Sequence, residues 1–146
     1  MRIVGEWLMC DDGVVRPAVR IHVRDQEERA HGDDFLVDTG ADRTVFACGL
    51  WRRLGVQGER PAAGAALLGV GGGVAFRTID TTLVLTADDG RPITLRGEFA
   101  AFVDPHATDL SILGRDVLDH FDAIISRRRD EVLLLGQNHG YSVVRT

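Results

Sequence analysis

The sequence predicts an all-β fold with one or two short helices, and three observations support this prediction. Apolar and polar residues alternate in several short stretches, β-branched residues are frequent within them, and turns rich in glycine separate them. No internal repeat or low-complexity tract interrupts the pattern. A chain of 146 residues, 45% of them hydrophobic, is long enough for a single domain, 1–146, with its own core.

The first strands of this fold are predicted to deliver an acidic turn. Residues 15, 19, 21 and 23 are apolar and share one face of a strand predicted over 15–23. The polar run 24–34 is interpreted as a hairpin connection, which leads into the short apolar run 35–37. That run ends in Asp38-Thr39-Gly40. A buried apolar strand is therefore expected to finish in a carboxylate.

The rest of the chain is predicted to continue mainly as strands. One short helix is predicted over 48–54, where Gly55 ends it, and a second over 115–121. Residues 67–76 are predicted to form a hairpin around a glycine-rich tip, after a loop rich in Gly, Ala and Pro at 57–66. The remaining predicted strands are 44–46, 78–85, 93–102, 110–113, 122–125, 132–135 and 141–144.

Composition and charge argue against several classes of function. The formal net charge is −5 and the 17 basic residues are scattered, so we expect no nucleic-acid partner. No apolar run approaches the ~20 residues that span a bilayer, and we expect a cytoplasmic protein with no membrane partner. Cys10 and Cys48 do not form a Cys-x-x-Cys pair, and we expect both thiols to be reduced.

The motifs for metal, phosphate and serine chemistry are absent from the sequence. The five histidines lack metal-ligand spacing, and no serine lies in a Gly-x-Ser-x-Gly elbow. A calcium loop at 38–42 fails because Gly40 occupies a position that requires an oxygen ligand. The glycines at 69–73 do not complete a phosphate-binding Gly-x-Gly-x-x-Gly, because Val74 stands at the last position. We therefore expect no metal and no organic cofactor.

The carboxylate of Asp38 has two interpretations. Burying an ionised group costs several kcal/mol unless it is paired or hydrogen-bonded. An acid at the end of an apolar strand is therefore either satisfied by the amides of an Asx turn or held ready for chemistry. The residues around Asp38 leave both interpretations open.

Three motifs together resemble the retroviral-type (retropepsin-like) aspartic proteases. Asp38-Thr39-Gly40-Ala41-Asp42 resembles the active-site turn of that family, and the segment 68–76 resembles its flap hairpin. The segment 112–116 resembles the apolar-apolar-Gly motif and helix that close the family's fold, and the strand at 15–17 lies where the family places a similar one. The resemblance implies a retropepsin-like closed β-barrel with a flap hairpin.

The resemblance also implies an active site shared between two copies of the chain. Asp38 and its symmetry mate would hold the water that attacks a peptide bond, one carboxyl acting as base and the other as acid. The chain has one Asp-[Ser/Thr]-Gly triplet and is too short for the two-lobed, pepsin-like form, so the second aspartate would come from a homodimer partner. Thr39 would hydrogen-bond across the dimer, and Gly40 would leave room for a peptide or protein substrate.

Further residues are implied to bind the substrate and brace the site. Asp42 would receive the substrate backbone and pair with Arg115, and Arg16 would reach Asp42 across the interface. Solvated surface charge is the alternative for both arginines, and core packing is the alternative for the apolar positions. The implied substrate-binding positions are Leu36, Ala41, Asp42, Val45, Gly69, Val70, Gly71, Leu110 and Ile112.

The sequence departs from the viral pattern in two places. Arg43 follows Asp42, where viral enzymes often have a second acid, so subsite preferences do not transfer. The chain also continues past the closing helix, and its strands 132–135 and 141–144 are expected to supply a sheet between subunits. The alternative function is a catalytically silent dimerisation or peptide-binding module, and the intact Asp38-Thr39-Gly40 favours the enzyme.

Overall fold

The computed structural model describes residues 1–55, 61–69, 72–142 and 144, and for 61–69 and 72–75 it describes the backbone alone. Strands dominate the described residues, as predicted. In chain order the elements are β1 (Arg2–Val4), β2 (Glu6–Met9), β3 (Val15–Arg24), β4 (Ala30–Val37), β5 (Val45–Phe46), α1 (Cys48–Leu54), β6 (Pro61–Gly69), β7 (Gly72–Thr86), β8 (Pro92–Phe102), β9 (Ser111–Leu113), α2 (Arg115–Leu118), β10 (Asp122–Ser126) and β11 (Glu131–Leu135).

Six of the strands close into a barrel. They follow the order β3, β4, β9, β5, β8 and β7, and β7 pairs again with β3 where His22 lies opposite Val84 and Val23 opposite Leu83. This second pairing joins the two ends of the sheet into a ring. β2 and β6 extend from the ring by pairing with β3 and β7. The predicted all-β class, a closed barrel with two short helices, is confirmed.

Alternating apolar residues fill the barrel, as the period of a strand requires. On β3, the side chains of Val19, Ile21 and Val23 are buried, on the face that the sequence predicts. Phe35 on β4 packs edge-on against Phe46 on β5, with ring centroids 5.9 Å apart. Fully burying one such side chain contributes about 1.5–3 kcal/mol, so the strands that carry the acidic turn rest on a well-packed core.

The connection between β3 and β4 is shorter than the predicted 24–34. β3 extends to Arg24 and β4 begins at Ala30, which leaves residues 25–29 as the turn. Residues 30–34 include His, Gly and two Asp, which have low intrinsic preference for strands. Their pairing with the apolar strand β3 overrides this local preference.

The two helices differ in how well the sequence predicts them. α1 has the predicted bounds, and Gly55 ends it in the left-handed conformation (φ 62°), with its N–H donating to the carbonyl of Arg52. α2 ends at Leu118 rather than at residue 121, because the chain beyond it continues in tight turns with Phe121 N–H donating to Leu118. Among the described residues, no helix is long and apolar enough to cross a membrane.

The predicted hairpin at 67–76 is present as backbone. Leu68 lies opposite Gly73 and Gly69 opposite Gly72, in antiparallel register. β6 begins at Pro61, inside the segment 57–66 that the sequence predicts as a loop. The tip residues 70–71 lie outside the described residues. The role of this hairpin as a flap stays a prediction.

A second, three-stranded sheet corrects two predictions about the end of the chain. β11, the predicted strand 132–135, lies between β1 and β10 of its own chain, so both of its edges are occupied and neither is free to pair with another subunit. The strand predicted over 141–144 is wrong at Tyr141, Ser142 and Val144, and residue 143 lies outside the described residues. β1 and β2 were not predicted, because each is very short and polar residues interrupt the apolar pattern.

Candidate active site

The turn that begins at Asp38 follows directly from a pair of parallel strands. β4 pairs with β9 so that Leu36 lies opposite Ile112 and Val37 opposite Leu113. The Asp38 N–H continues this ladder by donating to the carbonyl of Leu113 (3.1 Å). Val37 and Leu113 are buried, as parallel strands in the interior of a fold usually are. The carboxylate therefore emerges at the point where a buried strand ends.

The two oxygens of Asp38 have different surroundings. The Gly40 N–H donates to Oδ1 (2.9 Å), and the Ala41 N–H donates to the Asp38 carbonyl (3.2 Å), which together close a tight turn. Among the described residues, Oδ2 has no hydrogen-bond partner. Asp38 is half-buried, whereas Thr39 and Gly40 are exposed. One oxygen thus forms the Asx turn that the sequence allows, and the other is available for a ligand.

The end of the turn is fixed by the first residues of α2. The Arg115 N–H donates to the carbonyl of Ala41 (2.8 Å), and the Asp116 N–H donates to that of Asp42 (3.2 Å). Backbone amides at a helix start lack partners within the helix, so they are free to hold another segment. The motif at 112–116 therefore holds residues 41–42 in place through two backbone hydrogen bonds.

The buried Thr44 is linked to the exposed Asp116 by hydrogen bonds that sequence reasoning missed. The Thr44 N–H and hydroxyl both donate to Asp116 Oδ1 (2.8 and 2.7 Å), and the Gly114 N–H donates to Thr44 Oγ1 (3.1 Å). Thr44 is fully buried, so leaving any of these groups without a partner is costly. The two residues are 72 positions apart, and a threonine that directly precedes a strand gives no sequence signal of such a partner.

Gly114 is required by the close approach of the turn to β9. A Cβ atom at this position would collide with the carbonyl group of Arg43 and the amide nitrogen of Thr44. Both obstacles are backbone atoms that cannot rotate away, so only glycine fits. This gives a physical reason for the glycine in the motif at 112–116.

Of the two ion pairs implied for Asp42, the single chain contains the pair with Arg115 but not the pair with Arg16. The Arg115 guanidinium contacts Asp42 Oδ1, and this hydrogen bond raises the pKa of Arg115. Arg16 instead binds Asp12 of its own chain through two hydrogen bonds (2.8 and 2.6 Å). That pairing lowers the pKa of Asp12 to about 2. A contact from Arg16 to Asp42 across a subunit interface stays a prediction.

Three of the apolar positions implied for substrate binding lie side by side. Ile112 on β9 is opposite Leu36 on β4 and opposite Val45 on β5. Leu36 and Ile112 are half-buried, whereas Val45 is buried and also serves the core. Leu110 is half-buried in the loop before β9, and Gly69 ends β6. Val70 and Gly71 lie outside the described residues.

No metal site is formed by the residues whose placement the structure gives. Within that part of the chain, no group of three or more His, Cys, Asp or Glu residues is close enough to hold an ion. Cys10 and Cys48 are both buried free thiols.

Comparisons with known proteins agree with this geometry. A family model described as retroviral aspartyl protease matches residues 14–126. Among solved structures, the EIAV protease complexed with the inhibitor HBY-793 is 30% identical over 71% of this chain and 86% of that one, with a TM-score of 0.49. A retropepsin-like aspartic protease from Rickettsia conorii is 18% identical over 92% of this chain and 90% of that one, with a TM-score of 0.61.

The family match includes the acidic turn, the hairpin and the closing motif, and it covers well over half of the chain. A search of curated protein sequences gave no significant match. The chain belongs to the retroviral aspartyl protease family.

Proposed function

We propose that the protein is an aspartic endopeptidase whose active site combines Asp38 from two copies of the chain. The observation that carries this proposal is the state of the Asp38 carboxylate. It is held at a fixed position by Gly40, and its second oxygen has no partner among the described residues. A carboxylate that is positioned but not saturated is suited to bind and activate a water molecule.

A second copy is needed because one carboxylate cannot act as base and acid in the same step. The sequence has a single Asp-Thr-Gly triplet, and a two-fold axis brings the same residue of both subunits together. Thr39 and Gly40 are exposed in the isolated chain, as residues at such an axis should be before assembly. Backbone hydrogen bonds from α2 hold residues 41–42 in place, so the turns of the two subunits would meet already formed.

The reaction in the assembled pair follows from one shared proton. The ionised Asp38 removes a proton from water while the water oxygen bonds to the carbonyl carbon of the peptide. The protonated Asp38 gives its proton to the carbonyl oxygen, which produces a neutral tetrahedral intermediate. The intermediate collapses when the C–N bond breaks, the nitrogen takes the proton of the carboxyl that water had protonated, and a hydroxyl of the intermediate gives its proton to the other carboxylate, which restores the one shared proton. Two facing carboxyls retain one proton only over a limited range, so activity should follow a bell-shaped profile in acid.

The first test is cleavage of a random peptide library by the purified protein and by the Asp38→Asn variant. The asparagine keeps the Oδ1 acceptor for Gly40 but is neither base nor acid, so cleavage should disappear while the fold is retained. Asp80→Asn, which changes an exposed aspartate on β7, is the matched control and should cleave normally. Cleavage that survives Asp38→Asn, or that a chelator abolishes, would contradict the mechanism. A folded protein that binds peptides without cleaving them would support the silent module instead.

The second test asks whether the site is shared. Sedimentation at micromolar concentration should show a dimer. Adding an excess of Asp38→Asn protein to a fixed amount of active protein should then suppress cleavage, because mixed dimers contain only one Asp38. The Asp80→Asn protein should add activity in the same titration. A monomer whose activity is unaffected by the added Asp38→Asn protein would contradict the shared site.

A further inference from the structure

Arg43 is a charged residue of the active-site turn that the proposed reaction does not use. It directly follows Asp42, and its backbone is immobilised on both sides. The Asp42 carbonyl accepts a hydrogen bond from Asp116 N–H, and the Thr44 N–H donates to Asp116 Oδ1. The Arg43 carbonyl also lies against Gly114, with no space for an added methyl group. The stem of the Arg43 side chain therefore starts from a fixed point.

The guanidinium of Arg43 is positioned but only weakly paired. Its central carbon lies 5.6 Å from the centroid of the Phe76 ring, within the range of a cation–π contact. Its closest acidic partner is Glu98 Oε1 at 3.8 Å, which is too long for a hydrogen bond. The other acid nearby, Asp42, is already bound by Arg115. Among the described residues, Arg43 makes no hydrogen bond through its guanidinium, and 40% of its side chain is exposed.

The aromatic ring that Arg43 contacts belongs to an apolar cluster next to the active-site turn. Phe76, the last residue of the predicted hairpin 67–76, lies on β7 and packs in a small apolar cluster with Val45, Ala100 and Phe102. Ile112 packs against the same cluster. Val45 and Ile112 are two of the positions implied for substrate binding. The Arg43 guanidinium therefore lies where the active-site turn, the hairpin strand β7 and the apolar positions meet.

We propose that Arg43 selects peptides that carry an acidic side chain close to the cleaved bond, an inference that rests on the proposed endopeptidase function. A planar guanidinium already held against an aromatic ring loses little freedom when it binds a carboxylate. Its unsaturated N–H donors offer a two-pronged contact to Asp or Glu, and its charge repels Lys or Arg. Glu98 competes weakly for the same donors, so it should moderate the preference.

The test starts from one peptide that the protein cleaves. Each position flanking the cleaved bond is varied in turn, and at that position the peptide carries Glu, Gln or Lys. Values of kcat/KM are compared at pH 5.5, where a free Glu carboxylate with a pKa of ~4.3 is ionised. At one position, Glu should exceed Lys by about three- to tenfold, as expected for a partly exposed charge pair, and added salt should reduce the ratio. Arg43→Gln should bring the ratio close to one, Arg43→Lys should retain part of it, and Glu98→Gln should increase it.

Arg128→Gln, in the exposed turn between β10 and β11, is the matched control and should leave the ratio unchanged. Equal cleavage of the three peptides at every position, or a Glu preference that persists in Arg43→Gln, would overturn the inference and leave the endopeptidase intact. If no peptide is cleaved, binding of the same peptides, each carrying a fluorescent label, is measured by fluorescence anisotropy. Binding with an Arg43-dependent Glu preference would support the inference without the enzyme, and absence of binding would overturn both.

Discussion

Two aspartates with different hydrogen-bond partners lie near the two ends of strand β4. Asp25 directly follows β3 and begins the turn 25–29 that leads into β4, and its side chain is only 2% exposed. Its Oδ1 accepts the N–H groups of Glu27 and Arg29 (2.8 and 2.9 Å), and its Oδ2 lies 2.9 Å from Arg29 Nε and 2.8 Å from His31 Nε2. Asp38 stands just after β4, and among the described residues its side chain has one hydrogen bond, from Gly40.

The difference separates an acid whose carboxylate is fully hydrogen-bonded from the acid that we propose to be catalytic. Both oxygens of Asp25 are saturated, and the bond to His31, followed by those from Arg29 and Glu27, holds the pKa of Asp25 well below its usual range. Such a carboxylate is locked as an anion and has no capacity for a ligand. Asp38 is fixed through one oxygen, and in a dimer it would complete its surroundings with water and the second Asp38. The number of donors at each end of β4, rather than burial alone, separates the two roles.

The largest effect that tests this comparison is on catalysis. Asp38→Asn should reduce kcat by at least about 10³-fold, because it removes both the base and the acid of the proposed pair. Its melting temperature should stay within about 2 °C of the parent protein, since the turn keeps its Oδ1 acceptor. Peptide cleavage and thermal unfolding measured on the same preparation check both statements. A large loss of stability would mean that Asp38, like Asp25, is mainly structural.

The second effect compares two buried threonines, Thr44 beside the Asp38 turn and Thr81 beside the Asp25 turn. Thr44→Val removes the hydroxyl that joins Asp116 to Gly114, and it should cost about 1–3 kcal/mol of stability and several-fold in kcat/KM. Thr81→Val removes the hydroxyl that donates to the Arg24 carbonyl (2.6 Å), next to the Asp25 turn. It should lower stability without changing cleavage well below the melting temperature. Equal effects of both variants on kcat/KM would show that the link from Thr44 to α2 does not position the active-site turn.

The sequence reveals Asp38 more readily than it reveals the part played by Asp25. Asp38 closes an apolar run and begins a motif of adjacent residues, so it is visible locally. The role of Asp25 is hidden, because the polar run 24–34 gives no strand signal. The pairing of residues 30–34 with β3, which places His31 beside Asp25, is a tertiary effect. Thr44 and Asp116 meet only when β5 and α2 come together. Arg16 was predicted to pair with Asp42 of a second subunit, and no local pattern indicated its bond to Asp12.

The third effect is on stability alone. Asp25→Asn keeps an oxygen for the amides of the turn but places an NH₂ group against Arg29 and His31. His31 then loses the carboxylate that it contacts, and Arg29 retains only its exposed pair with Glu27. The melting temperature should fall by several degrees, whereas cleavage at a temperature well below it should not change. Asp34→Asn is the matched control, since Asp34 lies on β4 itself and its carboxylate pairs only with Arg20, at the surface, within the described part of the chain. A loss of activity in Asp25→Asn at full folding would contradict the division of roles along β4.

The smallest effect is the pH dependence of the Asp25 contribution, and its sign follows from linkage. The pKa of Asp25 is lower in the folded protein than the ~3.9 of an unperturbed aspartate, so the unfolded state binds the proton more readily. The stabilisation by Asp25 is therefore complete above about pH 4 and is lost as pH falls toward the folded-state pKa. The difference in melting temperature between the parent protein and Asp25→Asn should shrink as the pH falls from 5 to 3. A difference that grows over this interval would show that Asp25 binds its proton more tightly in the folded state, which would remove the contrast with Asp38.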